Sequence, residues 1–203
     1  WKYDGDVLAT IDVAVGAESS SPYYFTAHQD KLFFTAKDSL HGRELWCYQR
    51  GTARRLTDIY PGPEDGTPRT DWRESRMSAV YQGDLYFMGA DAEHGEELWK
   101  FDGQQATLVA DINPGESGSD PQWLTSFDGK LYFIASDQEH GTELWRCDEN
   151  GVSLVQDIHP GRLGSTPYYL TTYQDFLFFH AEHPDYGREL WAVEAGTDTL
   201  AVQ

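Results

Sequence analysis

Four glutamates in this chain sit in one repeated string, each two residues before a tryptophan: Glu44-Leu45-Trp46, Glu97-Leu98-Trp99, Glu143-Leu144-Trp145 and Glu189-Leu190-Trp191. A carboxylate that shares a strand face with a large aromatic is expected to be buried, and burial obliges it to find hydrogen-bond donors. Paired carboxylates perform general acid–base work in glycosidases. One glutamate per repeat has instead the distribution of a structural brace, with nearby loop amides as its donors. Upstream of three strings lies an Asp-x-x-His-Gly element: Asp38/His41, Asp91/His94 and Asp137/His140, followed by Gly42, Gly95 and Gly141. Such Asp and His side chains can hold a divalent metal, imidazole suiting zinc or copper and carboxylate suiting calcium. They can equally build a turn, the Asp capping backbone amides and the Gly supplying a positive φ. Recurrence in successive repeats favours the turn. Downstream recur Asp12, Asp58, Asp111 and Asp157, the last three opening an Asp-Ile-x-Pro-Gly string. Each is a candidate calcium ligand together with loop carbonyls, or the holder of a Pro-Gly turn.

The spacing of these residues defines the elements that must position them. The four tryptophans are 53, 46 and 46 residues apart, and Trp1 precedes Trp46 by 45. WKYDGDVLATID at Trp1 parallels WKFDGQQATLVAD at Trp99, so Trp1 marks a fifth copy. A period of this length signals a repeat architecture. Within residues 121–158 the text reads QWLTSF, KLYFIAS, TELWRC and VSLVQDI, four aromatic and β-branched runs separated by Asp, Asn and Gly. Asp128-Gly129 between two such runs is a hairpin signal. In KLYFIAS, Leu131, Phe133 and Ala135 point one way while Tyr132 and Ile134 point the other, so both sheet faces are apolar.

Four short antiparallel strands, apolar on both faces and recurring at this period, predict an all-β chain: a β-propeller of four-stranded antiparallel blades, with four full repeats plus an N-terminal half-blade. The expected bounds within one repeat domain are 1–14 for the half-blade, then 15–60, 61–112, 113–158 and 159–203. Four repeats and a half leave ring completion open between the N-terminal hairpin, further sequence and another copy. Unpaired blade edges are aggregation liabilities, so closure or self-association is expected. The start at Trp1, without Met or signal peptide, reads as that of a processed or excised piece.

The strings ELWCYQRGT at 44–52, ELWKFDGQ at 97–104, ELWRCDENG at 143–151 and ELWAVEAGT at 189–197, with their flanking DIxPG and DxxHG elements, resemble the ELWxxDGT-repeat family of bacterial secreted and surface proteins. The resemblance covers essentially the whole chain. It implies an extracellular or cell-surface propeller-like module, of the kind found in adhesin-like proteins, with no general catalytic assignment. Two copies depart from the pattern. Ala14-Val15-Gly16 replaces x-Pro-Gly in the first, and His183 and Tyr186 replace Asp and His in the fourth.

Composition narrows the partners. The 203 residues carry 15 basic and 34 acidic side chains, a net charge of −19. Nucleic acid needs a basic face to release counterions, so that class is excluded. No apolar run approaches the ~18 residues of a membrane span. Cys47 and Cys147 occupy different repeat positions and are expected to be unpaired, partly buried thiols. Strand parity sends the DxxHG loops and the DIxPG loops to one face, where function is expected. The second repeat is longer near residues 63–75, and Arg69, Trp72 and Arg73 there have the composition of a binding hot spot. No nucleophile elbow, phosphate loop or zinc-helix motif occurs. The leading expectation is a noncatalytic binding, adhesion or assembly module that contacts protein, or a second copy, through face loops and blade edges. The alternatives are a calcium-dependent lectin using His41, His94, His140 and aromatics such as Tyr24, Trp123 and Tyr169, and a hydrolase or metal enzyme.

Overall fold

The computed structural model of the protein describes residues 2–3, 5–6, 8–14, 19–67, 76–197 and 199–202. By contact the chain divides into two compact units, Trp1–Arg69 and Thr70–Gln203. The first holds the hairpin β1 (Lys2–Tyr3) and β2 (Leu8–Ala9), then a four-stranded sheet of β3 (Tyr23–His28), β4 (Lys31–Asp38), β5 (Gly42–Gln49) and β6 (Thr52–Arg55). The second holds three such sheets. They are β7 (Ser78–Tyr81) to β10 (Ala106–Ala110) through β8 (Asp84–Asp91) and β9 (Gly95–Phe101); β11 (Gln122–Phe127) to β14 (Gly151–Leu154) through β12 (Lys130–Asp137) and β13 (Gly141–Asp148); and β15 (Tyr168–Tyr173) to β18 (Leu200–Val202) through β16 (Phe176–His183) and β17 (Gly187–Glu194). Each sheet runs up and down in chain order, every pairing antiparallel. The fold is the expected β-propeller, and the sheets are numbered below as blades one to four. No helix among the described residues is long and apolar enough to cross a membrane.

The third blade shows why the sequence needs this architecture. Its strand β12 buries both sets of alternating residues. Leu131, Phe133 and Ala135 join a core with Tyr81, Tyr86 and Leu98 of blade two, while Tyr132 and Ile134 join another with Leu170, Leu177 and Phe179 of blade four. Fully burying one such side chain is worth about 1.5–3 kcal/mol, so a blade of this composition is stable only between two neighbours. Blade one has its own cluster of Phe34, Ala36 and Trp46, whose indole Nε1 donates to the Ala36 carbonyl at 2.9 Å. Cys47 and Cys147 are unpaired, as expected, and buried; burial pushes both thiols above their ordinary range.

The hairpin turn at Asp128-Gly129 is confirmed, with φ of 47° and 70°, as a type I′ turn requires. The first strand of three blades carries a feature that was not expected. Ser21, Asp120 and Thr166, each before a proline, have φ of 40°, 51° and 44°, and the aromatics three residues on, Tyr24, Trp123 and Tyr169, have φ of 54°, 58° and 62°. A residue before proline is ordinarily extended, and a positive φ is uncommon for bulky residues. The register of the first two strands shifts at this point in each blade, so the unusual backbone bends the inner strand by a bulge.

Candidate functional site on the loop face

Three of the four glutamates are braces. Glu44, Glu97 and Glu143 are each 0% exposed. Glu143 accepts the His159 and Ser165 amides on Oε1, at 3.1 and 2.8 Å, and the Ser165 hydroxyl on Oε2. Glu97 accepts the Asn113 amide at 2.8 Å and the Ser119 hydroxyl at 2.6 Å. The donors come from the loop that leaves the same blade through Asp-Ile-x-Pro-Gly. Ser119 and Ser165 also bind onward, their carbonyls accepting the Ser136 and Glu182 amides of the next blade. Each serine therefore ties one blade's glutamate to its neighbour's second strand. Sequence reasoning anticipated the loop amides and missed these serines, whose only signal is a Ser two residues before a proline.

Blade one reaches the same end by different residues. Gly66 occupies the position of Ser119 and Ser165, and a Cβ there would overlap the Glu44 carboxylate. The hydroxyl comes instead from Thr57, which donates to Glu44 Oε2 at 2.6 Å, while the Ile59 amide donates to Oε1 at 3.0 Å. Burial pushes Glu44, Glu97 and Glu143 above the ordinary carboxylate range despite these hydrogen bonds. A carboxylate enclosed by fixed donors has no open side for substrate, so the brace accounts for all three.

The DxxHG loops are likewise self-contained. Asp38 accepts the Leu40 and His41 amides, both at 2.8 Å, and its carboxylate lies 2.9 Å from His41 Nδ1. Asp91 and Asp137 hold the amides and rings of His94 and His140 in the same way, with ring contacts of 3.0 and 2.8 Å. Burial opposes ionisation of these aspartates, yet the amide and imidazole hydrogen bonds hold all three below their usual range. The hydrogen bond to Asp91 raises His94, and that to Asp137 raises His140, with smaller help from Asp111 and Asp157. Gly42, Gly95 and Gly141 have φ of 63°, 66° and 71°, and a methyl group on any of them would overlap a backbone carbonyl oxygen, of Glu64, Glu116 or Arg162 respectively. The two loop types thus meet backbone to backbone on one face, as strand parity predicted.

The Asp-Ile-x-Pro-Gly aspartates do not converge. Asp12 and Asp111 are exposed, and Asp58 is exposed and paired with Arg55 at 3.4 Å. Asp157 is half-buried with one carboxylate oxygen enclosed. Calcium takes 6–8 oxygen ligands, and no group of three metal-ligating side chains occurs among the described residues. Arg69, Trp72 and Arg73 lie outside the described residues. Trp123 is 8% exposed, its ring edge-on to Tyr169 at 5.2 Å, and Tyr169 in turn packs against His180 at 5.4 Å. Burial lowers His180. A cavity of about 480 Å³ on the loop face of blade one is lined by Ser21, Lys37, Asp38, Ser39, Arg43 and Asp65.

Blade four breaks the pattern. Gly187, Arg188 and Glu189 are exposed and Leu190 is 48% exposed, whereas Leu144 of blade three is fully buried. A Cβ at Gly187 would meet nothing within 4 Å. Tyr169 is 56% exposed where its counterpart Trp123 is buried. The exposed run Gly187–Leu190 lies at the loop end of β17.

No family model matches the chain, and no curated protein is similar to it. Solved structures share its fold. A prolyl endopeptidase aligns with a TM-score of 0.56 at 11% identity, over 86% of this chain and 24% of its own. The β-propeller domain of the Trilobed protease from Pyrococcus furiosus aligns at 0.53 and 15%, over 88% of this chain and 53% of its own. A puromycin-hydrolyzing peptidase of Mycobacterium tuberculosis aligns at 0.51 and 12%, over 92% and 29%. The chain thus spans a quarter to a half of these proteins, and what it shares with them is the propeller fold.

Proposed function

We propose that the protein is a noncatalytic binding and assembly module, as its repeats suggested. One observation carries this reading. The glutamates and the Asp–His pairs that recur in blades one to three are held by the protein's own loops, which leaves no free acid–base pair among them. Buried apolar area drives association, and Leu190 and Tyr169 of blade four are both exposed. Peptidase chemistry belongs to neighbours of which this chain spans a quarter to a half, and enters here only through the fold. Sedimentation of the intact chain over a range of concentrations tests the proposal, with Leu190→Asp as the comparison. Assembly that is lost in the variant supports it. A monomer at every concentration, assembly indifferent to Leu190→Asp, or turnover of peptide or glycoside substrates would sink it.

Carbohydrate binding is the second reading, favoured by the open Tyr169 face against Trp123 and His180. Aromatic faces of this kind receive sugar rings, and a secreted, cell-surface setting would supply them. A glycan array read with and without calcium, on the parent and on Tyr169→Ala, decides it: no hit that depends on Tyr169 removes the reading.

A further inference from the structure

One register position separates blade one from the other sheets. Near the loop end of the second and third strands, the paired residues are Lys37 and Arg43 in blade one and Ala90 and Glu96 in blade two. They are Ser136 and Thr142 in blade three, and Glu182 and Arg188 in blade four. Such partners share a sheet face, with Cβ atoms about 4.5–5.5 Å apart. In blade three the two hydroxyls hydrogen-bond at 2.7 Å, and in blade four Arg188 meets Glu182 at 3.6 Å. Blade one instead sets two cations opposite each other, an arrangement that costs stability, in a chain of net charge −19. Both cations line the 480 Å³ cavity on the loop face. The geometry points to a binding site there for a sugar that carries one carboxylate, a uronate, with that carboxylate held between Lys37 and Arg43. The site goes beyond both readings above, since it needs neither assembly nor Tyr169.

Arg43 is the fixed half of the cation pair. It is 4% exposed, its Nη1 donates to the Ser21 carbonyl at 2.7 Å, and its guanidinium carbon lies 5.2 Å from the centroid of the Tyr23 ring. A planar donor fork held in this way loses little freedom on meeting a carboxylate. Lys37 is exposed and supplies the adjustable ammonium. The other charges on the wall limit the ligand to one negative charge. Asp38 is engaged by the Leu40 and His41 amides and the His41 ring, and Asp65 accepts the Arg43 amide on Oδ1 at 2.7 Å. A phosphate dianion would add a second charge against these two carboxylates, and a polyanion would be repelled by the whole acidic chain. The Ser21 and Ser39 hydroxyls and the Asp65 carboxylate line the same cavity, and are the donors and acceptors that sugar hydroxyls need. A volume of 480 Å³ is that of a small-molecule site.

Titration of the intact chain with sodium glucuronate, followed by calorimetry and by the backbone amide resonances of Lys37 to Arg43, tests the site. Saturable binding with shifts in those resonances is expected. Glucose, acetate, glycine and inorganic phosphate each lack one part of the match and are expected to bind at least about tenfold more weakly, the worth of one charge-assisted hydrogen bond. Lys37→Ala, an exposed change that leaves the fold intact, is expected to weaken glucuronate about tenfold, and Lys37→Arg to restore it to within about threefold. Four results overturn the inference: no saturable binding of glucuronate, shifts that avoid Lys37 to Arg43, any control that binds as well as glucuronate, or a Lys37→Ala variant that binds as the parent does. Equal binding of acetate would reduce the site to a carboxylate contact, of glycine to a zwitterion site, and of phosphate to a general anion site, and each rejects the sugar.

Discussion

Residues Gly141–Trp145 of blade three and Gly187–Trp191 of blade four differ at one position, Thr142 against Arg188, and lead opposite lives. In blade three the glutamate is sealed from solvent, the leucine is core and the glycine is pressed under a carbonyl. Blade four exposes all three. The contrast shows that the ELW string does not bury its own glutamate. It prepares a seat, and the loop after the next strand fills it. Truncation breaks the comparison most sharply. Glu143→Ala strands two buried amides and a hydroxyl and is expected to cost about 2–4 kcal/mol. Glu189→Ala removes a solvated carboxylate and is expected to stay within about 0.5 kcal/mol. Urea unfolding of the two variants reads the difference, and equal losses would mean that Glu189 is already sealed.

The glycines sharpen the same contrast at smaller amplitude. Both sit at positive φ, so alanine carries a left-handed penalty of roughly 1–2 kcal/mol at either position. Only Gly141 also faces the Arg162 carbonyl. Gly141→Ala is therefore expected to lose about 1–2 kcal/mol more than Gly187→Ala, the usual range for overpacking. Melting curves of the pair measure it. A Gly187→Ala variant as damaged as Gly141→Ala would show that a carbonyl covers Gly187 as well.

Much of this was legible in the residues. The period of the tryptophans, the Asp128-Gly129 turn and the two-sided apolar text of β12 dictate a sheet buried on both faces, and a propeller follows. Strand parity brought the DxxHG and DIxPG loops together because alternation along antiparallel strands leaves no other choice. What stayed hidden depends on three-dimensional compensation. Gly66 and Thr57 exchange the duties that one serine performs elsewhere, and nothing in the repeat alignment links two residues in different strands of text. The inner-strand aromatics enter the sequence reading only as candidate sugar contacts. Their positive φ follows from the bulge, which the proline rule would have argued against at Ser21, Asp120 and Thr166.

Proton linkage gives the smallest effect, and it separates the blades again. The folded state raises Glu143 and Glu97 by burial, so the fold binds their protons more readily than the unfolded chain does. Their contribution is complete below the unfolded carboxylate range and is lost as pH rises through the raised folded value. The raised His94 and His140 act in the same direction, supporting the fold below the ordinary histidine range and ceasing to do so above their folded values. The aspartates that hold them oppose this only in stronger acid, where their lowered ionisation begins to fail. Thermal stability is therefore expected to fall gently from pH 5.5 to pH 8, helped by the repulsion that a net charge of −19 adds as protons leave. Glu143→Gln is neutral throughout and still accepts the two amides, so it should flatten the slope. Glu189→Gln, in solvent, should leave the slope as it was. Midpoints collected across that range for the parent and both variants check the prediction. A steeper fall in Glu143→Gln, or the same flattening in Glu189→Gln, would refute burial as the source of the slope, since blade three encloses its carboxylate and blade four does not.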